Sequence, residues 1–162
     1  MEPNAPQSPV FFGEHELTTD DKNRLSVPAE VRKAFDPMRD GKAFFVTIGI
    51  NGVIWLTPAK YYERLAFQVP NDLTPGEEQL AYDQMTFALA SRLEWDGQGR
   101  ILIPDKTLKR TGTGREVTLI GARDHLELWN RSAWESHRQA LELKRVEVAL
   151  KAKQARQKPA DN

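Results

Sequence analysis

"DDKNRLSVP", Asp20 to Pro28, returns 76 residues later as "DGQGRILIP", Asp96 to Pro104, with aspartate, arginine and proline at the same three places. Leu17 and Leu93 keep that offset upstream. Downstream, "IWLTPAKYYE" (Ile54 to Glu63) is similar to "LELWNRSAWE" (Leu126 to Glu135) at an offset of 72, so the first copy is a few residues the longer. A repeat of this kind is a supersecondary unit that buries its apolar face against a neighbour. One unit of roughly 45 residues with short strands cannot offset its own chain entropy. The two copies are therefore expected to interlock as an internal pseudo-dimer. The expected class is α+β, with a mainly β core and flanking helices.

Each copy reads as strand, turn, strand, short helix, hairpin and a further helix. Arg24-Leu25-Ser26-Val27 alternates polar and apolar with the period of a half-buried strand. Pro28 sits where proline opens a helix, and "AEVRKAF" follows with Val31, Ala34 and Phe35 on one side. "AFFVTIG" and "VIWL" flank Ile50-Asn51-Gly52, and Asn-Gly is a strong hairpin signal. In the second copy, "RILIP" and a helical turn ending near Gly112 lead to "EVTLIG" and "HLELW", joined through Ala122-Arg123-Asp124. Thr57-Pro58 predicts a helix to about Phe67. Thr74 to Glu77 and Ser132 to Glu135 read as capping boxes for two more, the last turning polar and basic and losing order beyond about Arg156. "QVPNDLTPG" reads as a linker.

The 162 residues suit one cooperative unit, and 40% apolar with 28% charged residues is ordinary for a soluble protein. No window approaches the roughly 20 apolar residues of a membrane span. "MEPNAPQSPV" lacks the features of a secretory signal, and the chain has no cysteine, so a cytoplasmic address is expected. Net charge is zero, but the stretch from His137 carries seven Lys/Arg against three acids, which leaves the remainder at −4. Any anion site in the body must then be a local cluster.

An aspartate before a tight turn accepts backbone N–H bonds across it. Asn23 and Gly99, just before the arginines, are the residue types that most readily take positive φ. Asp20, Asn23, Asp96 and Gly99 are thus turn-forming candidates, with a purely structural turn as the plain alternative. In a pseudo-dimer Arg24 and Arg100 would project from equivalent places on one face. A guanidinium fork suits phosphate oxygens or the guanine edge, and an acid four residues earlier can orient it beforehand. Lys22, which Gln98 replaces in the second turn, adds a phosphate contact to the first. Lys22, Arg24 and Arg100 are therefore the DNA-binding candidates.

The rest is less informative. His15, His125 and His137 lack metal-ligand spacing, so no metal or cofactor is expected. "GTGRE" lacks the frame of a phosphate loop, and no nucleophile or carboxylate pair has a companion base, so an enzyme with a small-molecule substrate is not expected. Trp55, Trp95, Trp129 and Trp134 read as core or subunit-interface residues, and Tyr62 with Trp134 as oligomer contacts.

"FGEHELTTDDKNRLSVPAEVRKAF", "ASRLEWDGQGRILIP" and "LELWNRSAWE" together resemble the MraZ family of bacterial transcriptional regulators, whose mark is a duplicated Asp-x-x-x-Arg motif. The resemblance covers about Phe12 to Trp134. It implies two SpoVT/AbrB-like swapped-hairpin units forming one pseudo-two-fold double-psi or swapped-hairpin barrel. The corresponding divisions are an N-terminal extension (1–11), repeat 1 (12–67), linker and helix (68–90), repeat 2 (91–135), and a C-terminal helix with basic tail (136–162). It further implies a nucleoid-associated homo-oligomer, typically a ring, that binds double-stranded DNA at direct repeats. Those repeats lie upstream of the division and cell-wall genes and of its own gene, usually for repression. Phe12 stands where relatives commonly have arginine, and Thr107 where they commonly have leucine. The rival reading is an oligomeric scaffold or antitoxin-like partner binder on the same fold.

Overall fold

The computed structural model describes residues 6–158. In chain order its elements are β1 (Glu14–Thr18), β2 (Arg24–Ser26), α1 (Ala29–Ala34), α2 (Pro37–Asp40), β3 (Ala43–Ile48), β4 (Ile54–Pro58), α3 (Ala59–Phe67) and α4 (Glu77–Asp83), the last continued by a π turn at Gln84–Ala88. Then come β5 (Ser91–Glu94), β6 (Arg100–Leu102), α5 (Asp105–Thr111), β7 (Glu116–Gly121), β8 (Leu126–Asn130), α6 (Arg131–Leu143) and α7 (Arg145–Gln157). Residues up to Asn130 form one compact unit and those from Arg131 a second. The first is an antiparallel sheet with flanking helices, the α+β class read from the sequence.

Six strands pair in the order β1-β7-β8-β4-β3-β5, and β2 with β6 make a separate two-stranded ribbon. Exchanging the copies, β1 for β5, β3 for β7 and β4 for β8, returns the same order read backwards. The outer strand of each copy thus pairs with the other copy's hairpin. At the sheet centre Trp55 faces Glu127, and in the ribbon Leu25 faces Ile101. These are the partners matched by the sequence offsets of 72 and 76, so one approximate two-fold axis runs through both pairs. The offset falls to 73 at β3 and β7 because the first copy alone carries α2, which the sequence does not announce, and to 72 at β4 and β8 because the β3–β4 loop is one residue longer than the β7–β8 loop. Asp36 caps α2 by accepting from Met38 N–H, and the fully buried Asp40 carboxylate accepts two bonds from Arg39.

The ribbon turns one side chain per strand inward. Leu25 and Ile101 are 0% and 1% exposed and join Val27, Ile103, Phe44, Val46, Leu119 and Leu128 in one core. Burying each such side chain contributes roughly 1.5–3 kcal/mol. Trp95, from the second copy, packs edge-on against Phe35 at 4.8 Å and Phe44 at 5.7 Å of the first. Phe11 is also buried there, and its backbone bridges Arg123. Gly121 is needed for this approach, since a Cβ there would lie 2.2 Å from Phe12 N. Thr107 is buried in α5 despite its hydroxyl.

In the β3–β4 loop Gly52 N–H donates to the Gly49 carbonyl at 2.8 Å with φ of 77°, while Asn51 keeps negative φ. The Asn-Gly pair therefore closes a longer bulged loop, not a two-residue turn. The capping box at Thr74 does not form. Asp72 accepts from both the N–H and the hydroxyl of Thr74, and α4 begins after Gly76 without a side-chain cap. The box at Ser132 does not form either: α6 starts at Arg131, and the Glu135 carboxylate is taken by Arg138 and Gln139. Helix α7 ends at Gln157, and the loss of order expected beyond about Arg156 falls mainly on residues 159–162, which lie outside the described residues.

Candidate nucleic-acid interface

The two turns are built alike, bond for bond. In the first, Asp20 Oδ1 accepts from the Lys22 and Arg24 N–H groups, both at 2.9 Å, and Asn23 N–H donates to the Asp20 carbonyl. In the second, Asp96 Oδ1 accepts from Gln98 at 2.8 Å and Arg100 at 3.0 Å, and Gly99 N–H donates to the Asp96 carbonyl. Asn23 and Gly99 hold the left-handed position, with φ of 60° and 74°. Their carbonyls each accept from the opposite copy: Ile103 N–H donates to Asn23, and Val27 N–H to Gly99, both at 2.9 Å. Each turn is therefore bonded into the other copy's strand.

Each aspartate also holds its arginine. Arg24 Nε donates to Asp20 Oδ2 at 2.6 Å and Arg100 Nε to Asp96 Oδ2 at 2.9 Å. The Arg24 backbone N–H, opposed by partial desolvation and aided by the guanidinium, holds the Asp20 carboxyl down at about 2. Asp96 is lowered in the same way, first by the Arg100 N–H. The Nη1 and Nη2 groups of both arginines make no hydrogen bond to the described residues, so each fork is oriented through Nε and open at its tip.

The pairing of β2 with β6 sets where the forks stand. Arg24 lies opposite Leu102 and Arg100 opposite Ser26, flanking the inward Leu25–Ile101 pair. All four side chains share the outward face of the ribbon. The arginines are 31% and 26% exposed. They are diagonal neighbours, about 7–8 Å apart by standard ladder geometry and somewhat less between their Cβ atoms.

Two cations beside the turns escaped the sequence reading. The Arg32 guanidinium lies over Gly99, where a Cβ would meet its Cζ at 2.9 Å, and its Nε donates to the Val27 carbonyl. Arg115 donates from Nε and Nη2 to the Thr19 carbonyl beside the first turn. The second copy has Leu108 in place of Arg32, and the first has Lys42 in place of Arg115; the cross-copy pairing brings the two arginines beside the turns. Phe12 is 75% exposed.

A second cluster lies at the β7–β8 turn. His125 stacks on Trp55 at 3.9 Å and bonds through its ring nitrogens to Asp124 at 2.9 Å and Glu127 at 3.1 Å. Burial opposes its charge, but the bonds to Glu127 and Asp124 outweigh burial and hold the imidazole above its usual range. Tyr61 donates to Asp124 at 2.9 Å, beside a cavity of about 400 Å³ lined also by Tyr62, Tyr82 and Phe87. Tyr62 stacks on Phe45 at 4.4 Å and donates to the Thr86 carbonyl, contacts within its own chain. Trp134, on α6, lies near His137. Among the described residues no His, Cys, Asp and Glu group is arranged to hold a metal, and no helix is long and apolar enough to cross a membrane.

A family model described as "MraZ protein, putative antitoxin-like" matches residues 86–156. A Transcriptional regulator MraZ of Neisseria gonorrhoeae (strain NCCP11945) is 34% identical over 147 residues, 90% of this chain and 97% of that protein. Its namesake in Neisseria meningitidis serogroup A is 35% identical over 128 residues, 78% of this chain and 84% of that one. The one in Heliobacterium modesticaldum is 30% identical over 142 residues, 88% of this chain and 96% of its own. These relatives are named as regulators of transcription. The family model takes in only the second motif, whereas a match over 90% of the chain, as with the Neisseria gonorrhoeae relative, spans both. On that identity and coverage, the chain belongs to the MraZ family.

Proposed function

We propose that the chain is a sequence-specific DNA-binding regulator of transcription, acting on the nucleoid in the cytoplasm. The observation that carries the reading is the outward ribbon face, where Arg24 and Arg100 stand together with their Nε atoms fixed by aspartate and their fork tips free. A fork already oriented loses little freedom on meeting phosphate or guanine. In this reading Arg24 and Lys22 make the principal contacts and Arg100 a supporting one, while Asp20, Asn23, Asp96 and Gly99 hold the turns. The names of the relatives agree with it.

A neutral chain with about two to four phosphate contacts binds DNA weakly, because the phosphate term supplies much of the affinity. Assembly resolves this. We take the protein to form a homo-oligomeric ring, with Tyr62 and Trp134 among the subunit contacts, that presents the same face at regular intervals to direct repeats. Avidity then replaces single-site strength. Occupying promoter repeats, its own and those of the division and cell-wall genes, would repress transcription.

The test is a gel shift of the full chain on its own upstream DNA across a salt series, with subunit mass measured by sedimentation. Binding that falls steeply with salt and is competed by repeat-containing but not random duplex supports the reading. No DNA binding by a stable oligomer would instead favour a scaffold or antitoxin-like binder of acidic protein surfaces.

A further inference from the structure

The ribbon face is symmetric in its arginines and asymmetric in what stands beside them. Leu102, directly opposite Arg24, points outward and is 56% exposed. Ser26, its symmetry counterpart opposite Arg100, is exposed and polar. The bonds from Val27 N–H and Ile103 N–H to the two turn carbonyls make these the non-hydrogen-bonded positions, where facing side chains come closest. The outward face therefore carries an arginine–leucine pair on one side of the axis and an arginine–serine pair on the other. An exposed leucine fits poorly with a face meant only for phosphate, since it adds neither charge nor a hydrogen bond and leaves apolar surface in water.

We infer that Leu102 is a base-reading residue that packs on the C5-methyl group of a thymine, next to the base or phosphate engaged by Arg24, and so gives each chain a single direction on DNA. The inference rests on the DNA-binding reading of the ribbon and deepens it. A two-stranded ribbon is a shape the major groove admits, and the thymine methyl is the apolar feature displayed there. The flanking guanidinium groups supply the charge complementarity that brings the ribbon to a polyanion. Ser26 offers a hydroxyl to either donors or acceptors and has no preference for a methyl. The two halves of the face therefore read different bases, and a pseudo-symmetric chain cannot bind equally in both directions. Repeats read by successive chains would all point the same way.

The experiment uses the full chain and a duplex enriched from a random library by that chain, together with versions in which single thymines are replaced by deoxyuridine. Removing the methyl at one position should weaken binding about four-fold, the worth of one buried methyl group. Leu102→Ala should bind the thymine and deoxyuridine duplexes equally. The exchange Ser26→Leu with Leu102→Ser should move the sensitive position to the other half of the site. Both substituted positions are exposed, so parental melting and subunit mass are expected. If no thymine is sensitive, or if Leu102→Ala keeps the penalty, the inference falls while DNA binding stands. If the Leu102→Ala oligomer changes mass, Leu102 is a subunit contact and the inference likewise falls. A chain that enriches no duplex overturns the DNA-binding reading and this inference together.

Discussion

The turns Asp20–Arg24 and Asp96–Arg100 share a backbone bond for bond but differ in four side chains: Asp21 against Gly97, Lys22 against Gln98, Asn23 against Gly99, and Ser26 against Leu102 at the ribbon face. What is common is what closes the turn and links the copies. What differs is what the turn shows to the outside. Duplication has thus preserved a structural device and left its exposed face free to diverge, so equivalent substitutions should cost alike in stability and unlike in binding.

The largest effect is expected where the copies are most alike. Leu25→Ala and Ile101→Ala each empty one half of the pair on the axis and should each cost about 2–5 kcal/mol in urea unfolding. Because the side chains touch, the double variant should depart from additivity by more than about 0.5 kcal/mol. Costs differing several-fold would show that the copies do not share the core equally.

Next comes the affinity contrast. Arg24→Ala should weaken operator binding by about 1–3 kcal/mol with subunit mass and melting unchanged, and Arg100→Ala by less. Equal losses in a salt-controlled gel shift would remove the assigned dominance of the first turn.

Gly99→Ala should destabilise by about 1–2 kcal/mol in thermal unfolding, since it puts a side chain at φ of 74° and displaces Arg32. Asn23→Gly should be close to neutral, because the first turn already tolerates an asparagine there and nothing is gained but freedom of the unfolded chain.

Salt dependence separates the turns more finely. Lys22→Gln should reduce the slope of log affinity against log salt by about 0.9, and Gln98→Lys should raise it by a similar amount. A slope unmoved by either change would place the turn tips away from phosphate.

The smallest contrast concerns acid. Asp20 and Asp96 titrate below their unfolded values, so the stability each contributes is complete above the ordinary aspartate range near 4 and is lost as pH falls, for Asp20 through about 2. Asp20→Asn should flatten the melting temperature between about pH 4 and pH 2 relative to the parent. An unchanged acid profile would mean that other carboxylates dominate there.

Much of this architecture was legible because repetition is visible without coordinates. The offsets of 76 and 72 make Leu25 equivalent to Ile101 and Trp55 to Glu127, and the strand pairing then shows that these equivalents face each other on the axis. The proline-opened helices and the aspartate turns were legible for a similar reason, since each is decided within about five residues. The capping boxes failed because neighbours competed for the same groups: Asp72 captured Thr74, and Arg138 captured Glu135. Arg32 and Arg115 stayed hidden because they reach the turns only through contacts between copies.

The amino-acid sequence by itself therefore determined the duplication, the closing chemistry of both turns and the identity of the paired arginines, all set by local hydrogen bonding and by the need of a small unit for a partner. Only the tertiary structure decided that each copy's outer strand crosses to the other's hairpin, that both forks share one outward face, and that Leu102 stands among them. Which way a side chain points across a ribbon depends on the register between distant strands, and that register is set by the burial of Leu25 and Ile101 together.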